Sequence, residues 1–275
     1  LGGTASAPAA TSATSSRATT ATVAAQLRSA TIQRYSLAHK LDAHRGCVNT
    51  LSWDPDGEVL LSGSDDCRLV LWTRWYHSLE PQPLVVETRH TRNIFCARFV
   101  PRSRQRQVVS CALDGSVRLN AVDHASGTDT LLGTSSHFVS KFCFLPGSST
   151  NFITAGHDGR ATLYDCRSPR RGSVLVNLSS IGGCTAISFD ELGQTFALGC
   201  DDPLVRTYDP RMCSHDRPES SKPIAAYGVH SHLRAPLVGR MSFGASDVAF
   251  SSAGELVVNQ RSADVYRFDT RRSPA

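Results

Sequence analysis

The amino-acid sequence predicts an all-β fold, a β-propeller, and three observations carry that reading. Aromatic residues that open a strand pair recur at Trp53, Phe99, Phe144, Phe189 and Phe250. About twenty positions after each, a third strand closes at Trp72, Asn120, Tyr164, Tyr208 and Phe268, so that most copies lie 44 to 48 residues apart. A repeat of that length falls in or just above the range of propeller blades. Within each copy, apolar and polar residues alternate with period two between closely spaced turn signals, the pattern of many short strands.

The first copy shows the elements in order. Cys47 to Trp53 alternates apolar and polar residues, Pro55-Asp56-Gly57 turns the chain, and Val59 to Gly63 forms a second strand. Asp65-Asp66 makes a tight turn, after which Leu69 to Trp72 returns as the third strand. A fourth, outer strand is expected at Pro83–Val86, and its counterparts at Thr130–Leu132, Val174–Val176 and Pro223–Ala226. Four strands per unit are the make-up of a blade. The expected propeller covers residues 34–271, with blades at about 41–88, 89–133, 134–178, 179–228 and 240–271 and a longer loop over 212–240.

Residues 1–33 differ. Leu1 to Ser29 is rich in Ala, Ser and Thr, and the first acidic residue of the chain is Asp42. A segment of this composition cannot bury enough apolar surface to offset the entropy of ordering, so a disordered, low-complexity stretch is expected. An acid-free leader with Arg and Ser also has the make-up of an organelle transit peptide. Disorder is the favoured expectation, because the sequence opens on Leu and its true start is expected upstream.

With 40% apolar residues, the rest of the chain has enough for a sizeable core. It contains neither a run of 18 apolar residues nor a basic segment leading into an apolar one, so neither a membrane span nor a secretory signal is expected. Nine cysteines form no Cys-x-x-Cys pair, and Cys111, Cys143 and Cys200 fall inside strand patterns as small buried hydrophobes. That usage fits a reducing compartment, the nucleus and/or cytoplasm. The net charge is +5, and the densest basic clusters are Arg102, Arg104 and Arg106 and then Arg167, Arg170 and Arg171. No aromatic residues interleave them for base stacking, so solvated loops are expected in preference to a nucleic-acid surface.

Catalytic signatures are absent from the sequence: it has no phosphate-binding loop, dinucleotide fingerprint, His-Glu-x-x-His or nucleophile elbow. His230-x-His232 offers two metal ligands with no third nearby in sequence. A non-enzymatic protein without cofactor or metal follows as the expectation.

At this point the residues resemble the WD-repeat family, whose blades carry a hydrogen-bonded His, Ser/Thr, Asp and Trp. His44, Ser62, Asp66 and Trp72 match all four positions in blade one, and His90, Ser110 and Asp114 match three in blade two, where Asn120 replaces the Trp. Blade three keeps Thr154, Asp158 and Tyr164 with Ser135 at the His position. Blade four keeps Asp202 and Tyr208, with Ser180 and Leu198 at the other two places. Blade five has Phe268, Ser262 at the Asp position, and Asp264 two residues late. The Asp persists because a short acceptor in a tight turn satisfies backbone N–H groups that would otherwise lie unpaired. These residues are expected to be structural and to touch no ligand.

Three blades end alike, in Tyr164-Asp165-Cys166-Arg167, Tyr208-Asp209-Pro210-Arg211 and Phe268-Asp269-Thr270-Arg271. This aromatic-Asp-x-Arg ending resembles the box by which WD-repeat substrate receptors dock on the adaptor of cullin-4 RING ubiquitin ligases. Longer stretches resemble one group of these cullin-4-associated factors, the nuclear receptor interaction protein-like group. They include His44 to Thr50, His90 to Pro101, Val109 to Gly115, Ala197 to Cys200, Val205 to Asp209, and Ser246 to Phe250. The resemblance implies a non-catalytic, substrate-recruiting subunit with Arg167, Arg211, Arg271, Asp165 and Asp209 toward the adaptor and a protein target held elsewhere. It also implies two further blades, so that the five seen here would be part of a seven-bladed propeller. The alternative expectation is a WD-repeat scaffold of another assembly, in which the Arg endings have no partner or pair only with their own Asp.

Overall fold

A computed structural model describes Leu37 and residues 39–73, 82–103, 107–122, 128–169, 172–228 and 244–271. The chain divides into two units, Leu1–Asp42 and Ala43–Ala275. Of the first unit, Leu37 and residues 39–42 are described, and there the exposed Lys40 and Asp42 pair at 2.8 Å.

The second unit is a succession of antiparallel sheets. Blade one holds β1 (Val48–Trp53), β2 (Val59–Ser64), β3 (Arg68–Thr73) and β4 (Gln82–Glu87). Blade two holds β5 (Ile94–Phe99), β6 (Gln107–Ala112), β7 (Ser116–Ala121) and β8 (Asp129–Thr134). Blade three holds β9 (Val139–Phe144), β10 (Asn151–Gly156), β11 (Arg160–Asp165) and β12 (Ser173–Asn177). Blade four holds β13 (Cys184–Phe189), β14 (Phe196–Cys200), β15 (Val205–Tyr208) and β16 (Ala225–Tyr227), with a 3₁₀ turn at Pro218–Ser220 before β16. Blade five, among the described residues, has three strands: β17 (Ala245–Phe250), β18 (Glu255–Gln260) and β19 (Val265–Asp269). Strands are paired in sequence order, each to the next, as expected of a β-propeller.

The aromatic spacing becomes a rung of each sheet. Trp53 and Trp72 both stand opposite Leu60, Phe99 and Asn120 opposite Val108, and Phe144 and Tyr164 opposite Phe152. Phe189 and Tyr208 flank Phe196, and Phe250 and Phe268 flank Leu256. A fixed opener-to-closer distance in sequence therefore records a fixed hairpin register, which period-two burial enforces.

The core lies between blades. Leu61, Leu69 and Leu71 of blade one pack with Ile94, Phe99 and Val108 of blade two. Cys111 and Val117 of blade two meet Phe142, Phe152 and Tyr164 of blade three. Ile153 and Leu175 then meet Phe189, Phe196 and Tyr208, and Ala197 and Val205 meet Val248 and Leu256. Middle strands thus bury both faces, so that every residue of β2 but Leu60 and of β6 but Gln107 is buried, the serines and glycine included. One side of blade one is more exposed among the described residues: at the rung where Phe99 and Phe189 are each 7% exposed, Trp53 is 47% exposed, with Leu51 beside it at 64%.

One irregularity recurs in every blade. The innermost strand slips register by one residue near its start, between Val48 and Thr50, Ile94 and Cys96, Val139 and Lys141, Cys184 and Ala186, and Ala245 and Asp247. Each slip leaves one residue without a cross-strand partner: Asn49, Phe95, Ser140, Thr185 and Ser246. A bulge of this kind re-aims a side chain.

Candidate functional site: the two ends of the blades

The turn between second and third strands marks one end of each blade, and there the relay residues meet. In blade one the ring nitrogens of His44 lie 2.8 Å from Ser62 Oγ and 3.1 Å from Asp66 Oδ2, and the Trp72 indole N–H donates to Ser62 Oγ at 3.0 Å. Asp66 also accepts from the Arg45 N–H at 2.9 Å and the Arg68 N–H at 3.1 Å. Burial opposes ionisation of Asp66, but the Arg45 N–H, the Arg68 side chain and His44 outweigh it and hold the carboxyl well below the usual carboxylate range. Blade two repeats the arrangement, with His90 Nε2 2.8 Å from Ser110 Oγ and its Nδ1 3.4 Å from Asp114. The Asn120 amide N–H replaces the indole donor at 3.0 Å from Ser110 Oγ, at the cost of a buried, unpartnered Oδ1.

In the remaining blades the same positions are not joined. Thr154 Oγ1 donates to its cross-strand carbonyl at Thr162, 3.3 Å away, Asp158 accepts the Arg160 N–H at 3.1 Å, and Ser135 accepts the His137 N–H at 3.3 Å. In blade four Ser180 is exposed, and Asp202 is instead gripped by both terminal nitrogens of Arg206 at 2.6 and 2.9 Å. Arg206 stands opposite Leu198 on β15, and the Tyr208 hydroxyl is buried without a partner. Blade five leaves Ser262 and Asp264 exposed, while Phe268 packs against Tyr227 at 5.6 Å between ring centroids.

At this same end the five bulge residues converge. Asn49, Phe95, Ser140, Thr185 and Ser246 line a cleft of about 290 Å³ together with Phe138, Lys141, His157 and Arg261. Phe138 stacks on the His157 ring at 3.6 Å, and Phe95 lies 5.6 Å from Phe138. Burial lowers the pKa of His157, favouring the neutral imidazole. Lys141 is paired with Asp247, and Arg261 with Asp201 at 3.1 Å. The cleft therefore presents aromatic faces and small hydroxyl and amide groups, with its cations already neutralised. Sequence reasoning missed these residues, although each bulge residue stands four positions before an opening aromatic.

The three Asp-x-Arg endings lie at the opposite end of the strands, since β11 runs from the relay turn toward Arg167. A strand of that length spans about 20 Å. Each ending pairs its Arg with its own Asp, two of them as a fork through Nε and Nη2 and the third through Nε. Asp165 accepts from the Arg167 N–H at 2.8 Å, from its Nε at 3.1 Å and from its Nη2 at 2.7 Å. Asp209 accepts from the Arg211 N–H at 2.9 Å, from Nε at 2.9 Å and from Nη2 at 2.6 Å. Asp269 accepts from the Arg271 N–H at 3.1 Å and from Nε at 3.3 Å. The three Arg side chains remain 70 to 73% exposed. Each Asp is thus spent on orienting its Arg, and the Arg167 and Arg211 side chains hold the Asp165 and Asp209 carboxyls below their usual pKa.

Other sequence candidates fall elsewhere. Arg104, Arg106, Arg170, Arg171, His230 and His232 lie outside the described residues, as do residues 1–36, which include the whole 1–33 leader. Among the described residues no group of three or more His, Cys, Asp or Glu is placed to hold a metal ion, and no helix is long and apolar enough to cross a membrane.

Comparison with known proteins follows the same pattern. The family profile described as WD domain, G-beta repeat matches residues 35–73 and 81–119, which hold most of the two joined relays. The chain is similar to human DDB1- and CUL4-associated factor 6, with 28% identity over 89% of this chain and 29% of that protein. It is similar to mouse WD and tetratricopeptide repeats protein 1, with 30% identity over 86% of this chain and 39% of that protein. WD repeat protein iqw1 of Schizosaccharomyces pombe is 35% identical over 64% of this chain and 24% of its own length. The chain thus spans well under half the length of these relatives.

Proposed function

We propose that this chain, a WD-repeat protein of the DDB1- and CUL4-associated factor type, is a non-catalytic, substrate-recruiting subunit of a cullin-4 RING ubiquitin ligase. One end of its blades docks on the ligase adaptor, and the other presents a protein target. Ubiquitin transfer belongs to other subunits, and the setting is the nucleus and/or cytoplasm.

The observation that carries this reading is an exposed Asp-held Arg at three blade ends, a full fork at Arg167 and Arg211 and a single Nε contact at Arg271. Arg167 and Arg211 are each held by their Asp through Nε and Nη2, so the remaining edge of each planar guanidinium faces outward. A pre-oriented guanidinium loses less freedom per bond when it meets a carboxylate or carbonyl than a mobile one does. An intramolecular Asp–Arg pair and a docking role are therefore compatible, because the first prepares the second. The likeness to a relative named for association with DDB1 and CUL4 supports the same assignment. The cleft lined by the bulge residues at the opposite end supports target binding there, because it leaves adaptor and target room to bind together.

The test is affinity purification of the chain carrying Arg167→Glu and Arg211→Glu together. Adaptor and cullin-4 are expected among the strongest partners of the wild type and absent from the variant, with the unfolding midpoint unchanged. Undiminished recovery of the adaptor overturns the docking assignment. Recovery of a different assembly by both proteins favours the general WD-repeat scaffold.

A further inference from the structure

Blade three contains a polar cavity that none of the roles above uses. It encloses about 360 Å³ between blades two and three, and its lining includes Gly133, Ser135, Thr154, Asp158, Arg160 and Tyr164. That volume would hold on the order of ten waters and lies within the range of small-molecule pockets, about 300–1,000 Å³.

Blade one shows what the same place is shaped for. There an imidazole ring bridges Ser62 at 2.8 Å and Asp66 at 3.1 Å, and the Asp simultaneously accepts Arg68 Nη2 at 2.8 Å. Blade three keeps the hydroxyl as Thr154, the carboxylate as Asp158 and the neighbouring Arg as Arg160, but has Ser135 where the His stood. Thr154 is 3% exposed and spends its hydrogen on the Thr162 carbonyl, leaving the oxygen able to accept. Tyr164 is 6% exposed, and among the described residues its hydroxyl has no hydrogen-bond partner. Its ring is pressed against Gly133 and Gly172, where an added Cβ would come within 2.4 and 2.6 Å of the ring. The phenol is thereby fixed at the cavity wall. Burial, aided by the Asp158 charge, pushes its pKa up to about 12, so it stays a donor.

We propose that this cavity binds a small five-membered nitrogen heterocycle of the imidazole type, its ring lying between Asp158 and Thr154 within reach of the Tyr164 hydroxyl. The site goes beyond the ligase reading and does not depend on it. It also departs from the expectation that relay residues touch no ligand, and the reason is local: in blade three the side chain that would fill the space is missing.

Imidazole itself is the probe, added to the untagged chain and followed by calorimetry and by thermal unfolding, with acetamide as a neutral control. Saturable binding on the order of 1 mM and a concentration-dependent rise in Tm are expected for imidazole and not for acetamide. Asp158→Asn is expected to weaken binding at least about tenfold, because it removes the charged acceptor. Ser135→His is expected to raise the Tm without ligand and to abolish imidazole binding by filling the space. Thr154→Val tests the second contact without touching the turn. Three results each overturn the proposal: no saturable binding by the wild type, which would leave a cavity that is hydrated only; equal binding by the wild type and Asp158→Asn; or undiminished binding by a folded Ser135→His.

Discussion

At the scale of single residues, the relay Asp is the group through which solution conditions reach the fold. Asp66 and Asp114 are held well below the usual carboxylate range although burial works against them, because His, Arg or Ser side chains and backbone N–H groups converge on each. A carboxylate with a depressed folded pKa contributes stability that is fully present above its unfolded value, near about 3.9, and is lost as the pH falls toward the folded value. The difference in urea midpoint between the wild type and Asp66→Asn is therefore expected to be large at pH 7 and to shrink between pH 5 and pH 3. A difference that stays constant over that range would show that the ionised form is not what stabilises the turn. The relay of blade one was legible in the sequence because all four residue types are present at fixed spacing. Arg206 was not, because the cation that takes over Asp202 comes from the middle of a strand, opposite Leu198, at a position where blade one carries Val70. Pattern matching looks for a His before the first strand, whereas the carboxylate requires only a donor within reach.

Among the elements, the Asp-x-Arg fork and the inner-strand bulge are the two devices that repeat. The fork is visible in the sequence as a motif; the geometry shows the internal Asp–Arg pair, and the partner contact is the proposal built on it. If the Asp acts by fixing the Arg, Asp209→Asn should weaken adaptor binding several-fold without abolishing it, while Arg211→Glu should reduce it much further. Arg211→Glu should leave the unfolding midpoint nearly unchanged, since that side chain is 72% exposed, whereas Asp209→Asn, at 16% exposure and bonded to the Arg211 N–H, should lower it slightly. Titration of the adaptor against each variant decides the point, and equal affinity of Asp209→Asn and wild type would assign the Asp no orienting role. The bulges were hidden for a physical reason. A one-residue register slip changes which way a side chain points without changing the alternation on either side of it. Asn49, Phe95, Ser140, Thr185 and Ser246 combine an amide, an aromatic ring and three hydroxyls, so no single residue type marks the position, and their common offset from the opening aromatics is what betrays them.

For the whole molecule, the interblade core explains why one repeated position has unequal weight. Phe189 and Trp53 occupy the same rung of their sheets, yet Phe189 is wedged between blades three and four at 7% exposure whereas Trp53 is 47% exposed on a side that no other described blade covers. The five-fold repeat in the sequence shows both as openers and cannot distinguish them, because exposure depends on whether a preceding blade is present and not on the rung itself. Deleting a buried aromatic side chain costs about 3–5 kcal/mol through lost transfer energy and the cavity left behind, while truncating a half-exposed one removes less buried area and leaves no enclosed cavity. Phe189→Ala is therefore expected to lower the stability of the chain by about 3 kcal/mol or more, and Trp53→Ala, whose side chain is about half buried, by a smaller amount of roughly 2 kcal/mol. Urea unfolding of each variant at constant m-value measures the pair. A Trp53→Ala penalty equal to that of Phe189→Ala would mean that the face of blade one is covered after all, by a further blade or by a second copy. Repeating the measurement across a range of protein concentrations separates those two covers, because only the second makes the midpoint depend on concentration.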